Sequence, residues 1–514
     1  MDITSYTSPD LGAPLAVDAL AGAGFEIGRA TTVARTLLDT FDGRLHGAGL
    51  RLELRGATRK ELVLRGGGAA PSHVRVDDAP RLAGDLPAGP LRARLTPVID
   101  VRALLPVLSL TARVRTAVRA DHSGRERVRV ALYERMVAGG GGGVASPSWL
   151  AEVEPLAGYP KDGARARELL ASLGLQRREG DVLDTVAAAV GADPAGFRGS
   201  PTVPIQARET AIDVFRRVLA NLLLAVDANW QGTVDHIDPE FLHDLRVAVR
   251  RTRSVLAQGN KVLPAAMRDE YREGFAWLAT ATGPARDLDV YMIEWDGYVA
   301  PLETDAVAAL RPVLDHLAEQ RSLEHGRVSR ALRSARYRSL VAGWRAWLEP
   351  HDVVDAGKDA SRRIGPVAAD RIGRAQSQLL SRGRSIGPDT PAAELHELRK
   401  DAKKLRYLLE CFGGLYAPGP RKVFVQRLKA LQDNLGEHQD TEVHVAQLRS
   451  VARDLRSQVG PDTLAAMDRL TGHLDGRRGA ARAEFAGRFA AYDTTRTSAA
   501  LAALLASKAS RRTR

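Results

Sequence analysis

One thirteen-residue pattern occurs twice in this sequence. The first copy, residues 241–253, reads FLHDLRVAVRRTR, and the second copy, residues 394–406, reads ELHELRKDAKKLR. The copies are 153 residues apart, and the same offset pairs Gly283 with Gly436 further along the chain without a gap. Because self-similarity at a fixed spacing is typical of duplicated architectures, this part of the chain is predicted to contain two copies of one structural unit.

Each copy predicts an amphipathic helix with a basic stripe. At about 100° per residue, four polar positions of each copy fall within an arc of about 80°, opposite apolar residues. The stripe residues are His243, Arg246, Arg250 and Arg253 in the first copy and His396, Arg399, Lys403 and Arg406 in the second. Three cations along about 15 Å of helix repel one another. A polyanion lying along the stripe would offset this repulsion.

Further cations lie near the stripes or in a separate segment. Arg251 and Lys404 each follow a stripe residue but project to its side, and Lys429 lies beyond the second copy. The separate segment contains Arg327, Arg330, Arg333, Arg336 and Arg338. Such a segment either extends a binding surface or forms a solvated helix face.

The stripe histidines invite a metal-binding interpretation, which their surroundings do not favour. Neither His243 nor His396 has a His or Cys at ligand spacing, and an arginine follows each by three residues. Because arginines repel a metal ion, we expect each imidazole to donate a hydrogen bond to phosphate instead. An ordinary packed histidine is the alternative. No metal or cofactor is predicted.

The net charge indicates which partners the protein could bind, and the cysteine content indicates its cellular compartment. The chain has 514 residues, with 74 Lys and Arg against 62 Asp and Glu, and a net charge of +12. This excess favours acidic partners. The single cysteine, Cys411, excludes an internal disulfide, and no apolar run approaches the about 18 residues that span a bilayer. A cytoplasmic protein without a membrane partner is predicted.

Turn residues divide the chain into regions of different periodicity. Short alternating runs separated by glycines predict antiparallel strands within residues 1–190. Residues 191–205 are rich in proline and glycine and form the predicted linker. Helical periodicity fills residues 206–505, and a basic tail, residues 506–514, follows.

The first region resembles the CYTH family, the triphosphate tunnel metalloenzymes. The resemblance rests on residues 37–55, LLDTFDGRLHGAGLRLELR, and on Glu152 and Glu154, which share one face of a predicted strand. It implies a closed antiparallel barrel that holds triphosphate with basic residues and divalent metal with acidic ones. The family opens with Glu-x-Glu-x-Lys, whereas only Asp2 can stand in here. Metal-assisted hydrolysis is therefore predicted to be lost.

Two interpretations of this first region stay open. It is either a residual phosphate-binding tunnel or a folded module whose charges are merely solvated. The candidate tunnel residues are Arg51, Arg65, Arg113 and Arg115. The folded module is favoured because charges along strands usually form a wet face. A metal-dependent inorganic triphosphatase is an alternative function.

The duplicated region resembles the CHAD family, the histidine-bearing α-helical domains. The resemblance rests on both copies of the pattern, on GPARDLDV at residues 283–290 and on LKALQDNLG at residues 428–436, and it spans residues 206–505. It implies two pseudo-symmetric four-helix bundles that flank a basic cavity, binding of inorganic polyphosphate, and recruitment to polyphosphate granules. By this resemblance the family's histidine and basic positions fall on the eight stripe residues, with the three nearby cations as additions.

A glycine and an aspartate recur together after each copy of the pattern. Gly283 precedes Asp287 by four residues, and Gly436 precedes Asp440 by four. The spacing predicts a helix end at each glycine and a new helix at each aspartate. Alternatively, the aspartates pair with the stripe arginines and hold them in place.

The predicted fold is α+β and multidomain, with a tunnel-like antiparallel β-barrel followed by an all-α domain of two pseudo-symmetric four-helix bundles. The predicted function is non-catalytic binding of inorganic polyphosphate. Aromatic residues make up 5% of the chain and are not interleaved with the stripes, which argues against a nucleic-acid partner. A nucleic-acid-binding protein is the second alternative. The sequence does not set an oligomeric state.

Overall fold

The chain forms two compact units. The computed structural model describes residues 4–7, 13–139, 149–156, 158–178, 180–193, 195–197, 203–350, 353 and 355–507. One unit is Met1–Arg198 and the other is Gly199–Arg514. Asp2 and all but the first two residues of the predicted basic tail lie outside the described residues.

The first unit is built on one antiparallel sheet, as predicted. Its strands are β1 (Thr4–Thr7), β2 (Glu26–Ile27), β3 (Thr31–Thr40), β4 (Leu50–Arg55), β5 (Lys60–Gly66), β6 (Ser72–Val76), β7 (Leu104–Ala120), β8 (Glu126–Gly139), β9 (Trp149–Pro155) and β10 (Gln176–Arg178). The strand order is β10–β1–β9–β8–β7–β3–β4–β5–β6, and β2 pairs with β7.

This sheet curls around an interior that holds charged side chains. Strands β5 and β9 are far apart in the strand order, yet Arg65 Nη2 lies 3.7 Å from Glu154 Oε1. Within the described residues no ladder joins the end strands β6 and β10, so the tunnel-like sheet is open along one side.

Helices pack on both faces of the sheet. Helices α1 (Ala13–Gly22), α2 (Arg44–Gly47), α3 (Pro90–Ile99) and α4 (Pro160–Ser172) lie on the outer face, and α5 (Val182–Val190) packs against the inner face. On β4 the side chains alternate, so that Leu52 packs with Leu95 of α3 while Glu53 reaches Arg35 on the inner face. The outer positions therefore form an apolar core. The inner positions carry charged side chains together with an apolar cluster that packs against α5 and includes Leu37 and Leu150.

The second unit is helical throughout. Its helices are α6 (Ala211–Val234), α7 (Pro239–Gln258), α8 (Ala265–Ala281), α9 (Gly283–Val299), α10 (Thr304–Ala309), α11 (Arg311–Arg333), α12 (Ala335–Leu348), α13 (Ile364–Arg384), α14 (Ala392–Cys411), α15 (Pro418–Leu455), α16 (Pro461–Tyr492) and α17 (Thr495–Ala506). Among the residues with described placement, none of these helices is long and apolar enough to cross a membrane.

The helix boundaries reproduce the duplication. Helices α6, α7 and α8 begin 153 residues before α13, α14 and α15 respectively. Helices α6, α7, α8–α9 and α11 correspond to α13, α14, α15 and α16, which confirms two pseudo-symmetric four-helix bundles. A shared core joins the halves, with Tyr291 of α9 and Leu470 of α16 in one buried cluster.

A pseudo-two-fold axis relates the two halves. Thr210 forms an antiparallel bridge with Arg363, its own equivalent 153 residues later. The flanking hydrogen bonds are also reciprocal, because Ala211 N donates to Arg362 O and Ile364 N donates to Glu209 O, each at 2.8 Å. Equivalent residues pair with each other only where a two-fold axis passes between them.

The glycines of the repeat do not end helices, so that prediction is wrong. In the second copy Gly436 and Asp440 both lie inside the continuous helix α15. In the first copy α8 ends at Ala281, and Gly283 begins α9. The difference lies in the next residue, which is Pro284 in one copy and Glu437 in the other. Proline lacks an N–H and clashes with the preceding turn, so only the first copy breaks.

We predict that Gly436→Ala stabilises the second unit by about 0.5–1 kcal/mol, because alanine is the better helix former. A Cβ at this position would lie 3.9 Å from Arg399 Nη2 and Asp440 Oδ2, an ordinary contact. Thermal unfolding followed by far-ultraviolet circular dichroism measures the change.

The matched control is Gly383→Ala in α13. A Cβ there would overlap the Phe489 ring, so this variant is expected to lose about 1–3 kcal/mol through overpacking. A Gly436→Ala variant as destabilised as Gly383→Ala would contradict an unbroken α15.

Candidate functional site

The two copies of the repeated pattern lie side by side on α7 and α14. The guanidinium carbon of Arg250 lies 5.5 Å from the centre of the Tyr407 ring. On the adjoining face, Arg251 Nη2 lies 2.6 Å from Glu410 Oε2. The structure therefore brings the stripes, which are distant in the sequence, onto one surface.

A groove of about 590 Å³ runs between α7, α8 and α14. Its charged lining residues are Arg250, Arg253, Arg272, Lys400, Lys403, Lys404, Asp269 and Glu273. Six cations thus face two carboxylates, and Arg253 and Lys404 have no carboxylate partner among the described residues. This surplus of positive charge would favour an anion over a cation in the groove.

Lys403 shows how strongly the cations are crowded. It is the equivalent of Arg250 across the pseudo-two-fold axis. Desolvation and, after it, repulsion by the guanidinium groups of Arg399 and Arg250 together lower the pKa of Lys403 to about 8. An anion bound beside Lys403 would offset the repulsion from the two arginines.

Two further stripe residues, Arg246 and Arg399, lie beside the glycines of the repeat. Arg246 donates hydrogen bonds to Ala279 O at 2.8 Å and to Thr282 Oγ1 at 2.9 Å. A Cβ on Gly283 would lie 3.7 Å from Arg246 Nη1, and a Cβ on Gly436 would lie 3.9 Å from Arg399 Nη2. Each of these guanidinium groups therefore lies beside a glycine of the neighbouring helix, at a distance that a methyl group would also allow.

The aspartates of the repeat accompany these arginines. Arg399 Nη2 lies 2.8 Å from Asp440 Oδ1. Desolvation raises the pKa of Asp287, Arg246 opposes this shift, and Asp440 adds to it. The alternative prediction, in which the aspartates pair with stripe arginines, is thus seen directly for Arg399 and as an electrostatic interaction for Arg246.

The two histidines occupy equivalent positions near the start of the stripes. His396 Nδ1 lies 2.5 Å from Gln439 Oε1, and His243 is half-buried. Within the described part of the chain, no group of three or more His, Cys, Asp or Glu residues is placed to hold a metal ion. A role as a phosphate ligand stays a prediction for both histidines.

The remaining predicted cations differ in their surroundings. Arg251 and Arg406 both pair with Glu410, and Arg251 lies on the face away from the groove. Lys429 pairs with Asp433 at 2.9 Å and is not among the groove residues. Lys404 lines the groove, although its sequence position is beside the stripe.

Two groove cations were not predicted. Lys400 lies four residues after His396 on α14, close enough to the stripe in angle that helix geometry alone would have found it. Arg272 lies on α8, where the equivalent residue of the second copy is Val425. No feature of the repeat marks Arg272, because it joins the groove only through helix packing.

The separate arginine segment behaves as a solvated face. Arg327 pairs with Glu324 on its own helix, and Arg333 lies 3.4 Å from Asp235. Arg336 lies 4.5 Å from the Trp277 ring centre. These contacts use the cations locally and favour the second of the two interpretations for this segment.

The interior of the first unit is a smaller cavity of about 320 Å³. Its charged lining residues are Arg35, Arg55, Arg65, Arg129, Glu152 and Glu154. Of the four predicted tunnel arginines, only Arg65 lines it. Arg113 and Arg115 alternate with the lining residues of β7 and so face outward, where both pair with Glu134. Arg51 is bound by Asp181 at 2.6 Å and Asp184 at 2.7 Å.

Arg35 dominates this interior. It pairs with Glu53 and with Glu152, the latter at 3.0 Å, and lies 3.6 Å from Asp181. Burial opposes ionisation of Glu53, but Arg35 and Arg55 overcome it and lower the pKa of Glu53 to about 2. Arg35 was not among the predicted tunnel residues, because no spacing or motif in the sequence marks an arginine in a strand as buried.

The metal implied by the CYTH resemblance does not fit these residues. Glu152 already accepts hydrogen bonds from Arg35, from Tyr133 Oη at 2.8 Å and from Val182 N at 2.6 Å. A divalent cation would have to displace a guanidinium group from the same carboxylates. Glu152 is therefore already held in an ion-pair and hydrogen-bond network.

Comparison with known proteins gives one family and several relatives. A family model described as the CHAD domain matches residues 217–449. Two proteins of Mycobacterium tuberculosis, from strains CDC 1551 / Oshkosh and ATCC 25618 / H37Rv and both described as uncharacterized, are 30% identical over 223 residues. These matches cover 42% of this chain and 41% of each relative, so the chain spans about two fifths of the relatives' length.

Two solved structures are also similar. The CHAD domain from the plant Ricinus communis is 26% identical, with a TM-score of 0.46, and the match covers 60% of this chain and 96% of that chain. PptA from Streptomyces chartreusis is 19% identical, with a TM-score of 0.45, covering 55% of this chain and 100% of that chain.

The family match contains both copies of the repeated pattern and the groove between them. Within the second unit, residues 217–449 are therefore similar to the CHAD domain family.

Proposed function

We propose that the second unit binds inorganic polyphosphate in the groove between α7, α8 and α14. The observation that carries the proposal is the groove lining, in which six cations face two carboxylates. CHAD domains are linked to polyphosphate binding in general, and this groove lies within the CHAD match. In a cell that stores polyphosphate, such binding would bring the cytoplasmic protein to the polyphosphate granules.

The lining favours a chain of bare phosphates over a nucleic acid. Tyr407 is the one aromatic residue among the lining residues described for the groove. Arg250 covers its ring, so this face is not open to a base. Because binding of unpaired bases depends on aromatic stacking, a polymer that needs only cations and hydrogen-bond donors suits the groove better.

Arg250 and Lys403 are equivalent cations of the two stripes, and both line the groove. Replacing both in Arg250→Gln/Lys403→Gln is expected to weaken binding of long-chain polyphosphate by at least about tenfold at physiological salt. Loss of two phosphate contacts should also reduce the slope of log K against log salt concentration by about 1.4. Fluorescence anisotropy with end-labelled polyphosphate over a salt series measures both quantities.

The control variant Arg327→Gln/Arg330→Gln removes the same charge from the exposed face of α11. It should bind within about twofold of wild type at physiological salt, where distant charges are screened. Equal losses in the two double variants would mean that net charge alone drives binding, and the groove would then not be the site.

The lowered pKa of Lys403 predicts a pH dependence. Polyphosphate prefers the protonated lysine, so affinity should be constant below this pKa and fall as pH rises through about 8, where the free protein loses the proton. Lys403→Arg keeps its charge throughout this range and should flatten the curve between about pH 7 and 9.5. Parallel curves for wild type and Lys403→Arg would show that Lys403 is not in contact with the polymer.

We also infer that the first unit does not hydrolyse inorganic triphosphate. Support comes from Arg35, which engages the buried carboxylates that a catalytic metal would need. Phosphate release from tripolyphosphate with Mg²⁺ or Mn²⁺ is expected to equal the rate without protein. Turnover by wild type that a chelator abolishes would overturn this inference.

A further inference from the structure

The second unit has another cavity, which shares no lining residue with the groove. It has a volume of about 500 Å³ and lies between α6, α14 and the first turns of α15. Its walls are largely apolar, formed by Val218 and Leu222 of α6, Leu409 of α14 and Val425 of α15. This size and lining are typical of sites for small organic molecules, which span about 300–1,000 Å³.

Two cations stand at this cavity without a partner. Arg421 and Lys422 line it, and neither side chain has a hydrogen bond or an ion pair with any other described residue. A Cβ on Gly413 would overlap the Arg421 guanidinium group. The glycine therefore lets the guanidinium lie against the backbone after α14, which fixes its position beside the cavity.

The opposite wall also offers a free donor. Arg251 lines the cavity and pairs with Glu410 through Nη2, but its Nε is buried and has no hydrogen-bond partner in the described structure. A buried donor without an acceptor is unfavourable by about 1–3 kcal/mol. An acceptor group on a ligand in the cavity would satisfy it.

Apolar walls and unpartnered cations together define the ligand class. A neutral apolar molecule would leave Arg421 and Lys422 unused, and inorganic phosphate would leave Val218, Leu222 and Val425 uncovered. A guanidinium group prefers carboxylate or phosphate oxygens, which it binds with two parallel hydrogen bonds. The complementary molecule is therefore an anion with an apolar body.

We propose that this cavity binds a small organic anion, an apolar ring or chain that carries a carboxylate or a phosphate. The anionic group contacts Arg421 and Lys422, and the apolar body lies against Val218, Leu222 and Val425. Cys411 contributes a neutral thiol to the wall, since burial raises its pKa to about 12. The site is independent of the polyphosphate groove.

The test uses the full chain and four probes in isothermal titration calorimetry. The probes are 1-naphthoate, 1-naphthyl phosphate, the neutral 1-naphthalenemethanol and inorganic phosphate. At least one naphthyl anion is expected to bind at one site per chain, about tenfold or more tighter than the neutral alcohol and inorganic phosphate. The comparison of the two anions decides between a carboxylate and a phosphate ligand.

Variants locate the site. Arg421→Gln/Lys422→Gln should weaken the anion by at least about tenfold, and Val425→Trp should block it by filling the cavity. Arg453→Gln/Arg456→Gln, which removes two exposed cations at the other end of α15, is the matched control and should bind as wild type. All three should keep wild-type affinity for long-chain polyphosphate, which shows that they fold.

Three results would overturn the proposal. They are absence of binding by both naphthyl anions, equal binding of anion and alcohol, and an anion affinity that Arg421→Gln/Lys422→Gln leaves unchanged. None of these results bears on polyphosphate binding, so failure of this proposal and failure of the proposed function are distinguishable.

Discussion

A pseudo-two-fold axis brings like charges together in the helical unit, and the groove depends on this constraint. When a duplicated unit folds back on itself, residues near the axis face their own equivalents. Arg250 therefore lowers the pKa of Lys403, and Asp440 raises the pKa of Asp287. Each of these shifts has the same direction as the shift caused by desolvation. A single copy of the pattern would have only its own stripe, whereas two copies concentrate both on one surface. Asp440 forms an ion pair with Arg399, and Asp287 interacts electrostatically with Arg246. The cations that line the groove still outnumber its carboxylates.

The two units use arginine in opposite ways. In the first unit Arg35 is enclosed by Glu53 and Glu152, so its charge is neutralised within the fold. A buried arginine with this many partners holds strands β3, β4 and β9 together, and it occupies the carboxylates of Glu53 and Glu152. In the second unit Arg253 and Lys404 line an open groove and have no carboxylate partner in the described structure. Composition alone does not distinguish these roles, because burial and pairing decide whether a cation is structural or available to a ligand.

Much of the helical unit could be predicted from the sequence, because the repeat carries its own register. The 153-residue offset sets the starts of three helix pairs and places Arg250 and Lys403 on equivalent stripes. Predictions failed where a helix break or the orientation of a side chain depends on residues outside the repeated pattern. Pro284 breaks one copy of a helix that stays continuous at Gly436, although the glycine is common to both copies. The outward orientation of Arg113 depends on strand phase, and Arg272 reaches the groove only because α8 packs against α7.

The proposed function requires the groove to select a chain of bare phosphates over other phosphate polymers. Its most direct test is competition at physiological salt, in which unlabelled polyphosphate, single-stranded RNA and duplex DNA, matched in phosphate concentration, displace labelled polyphosphate from the full chain. The predicted result is displacement by polyphosphate at concentrations at least about tenfold below those needed for either nucleic acid. Equal displacement by all three polymers would contradict the account, because it would show a basic surface that any phosphate backbone can occupy.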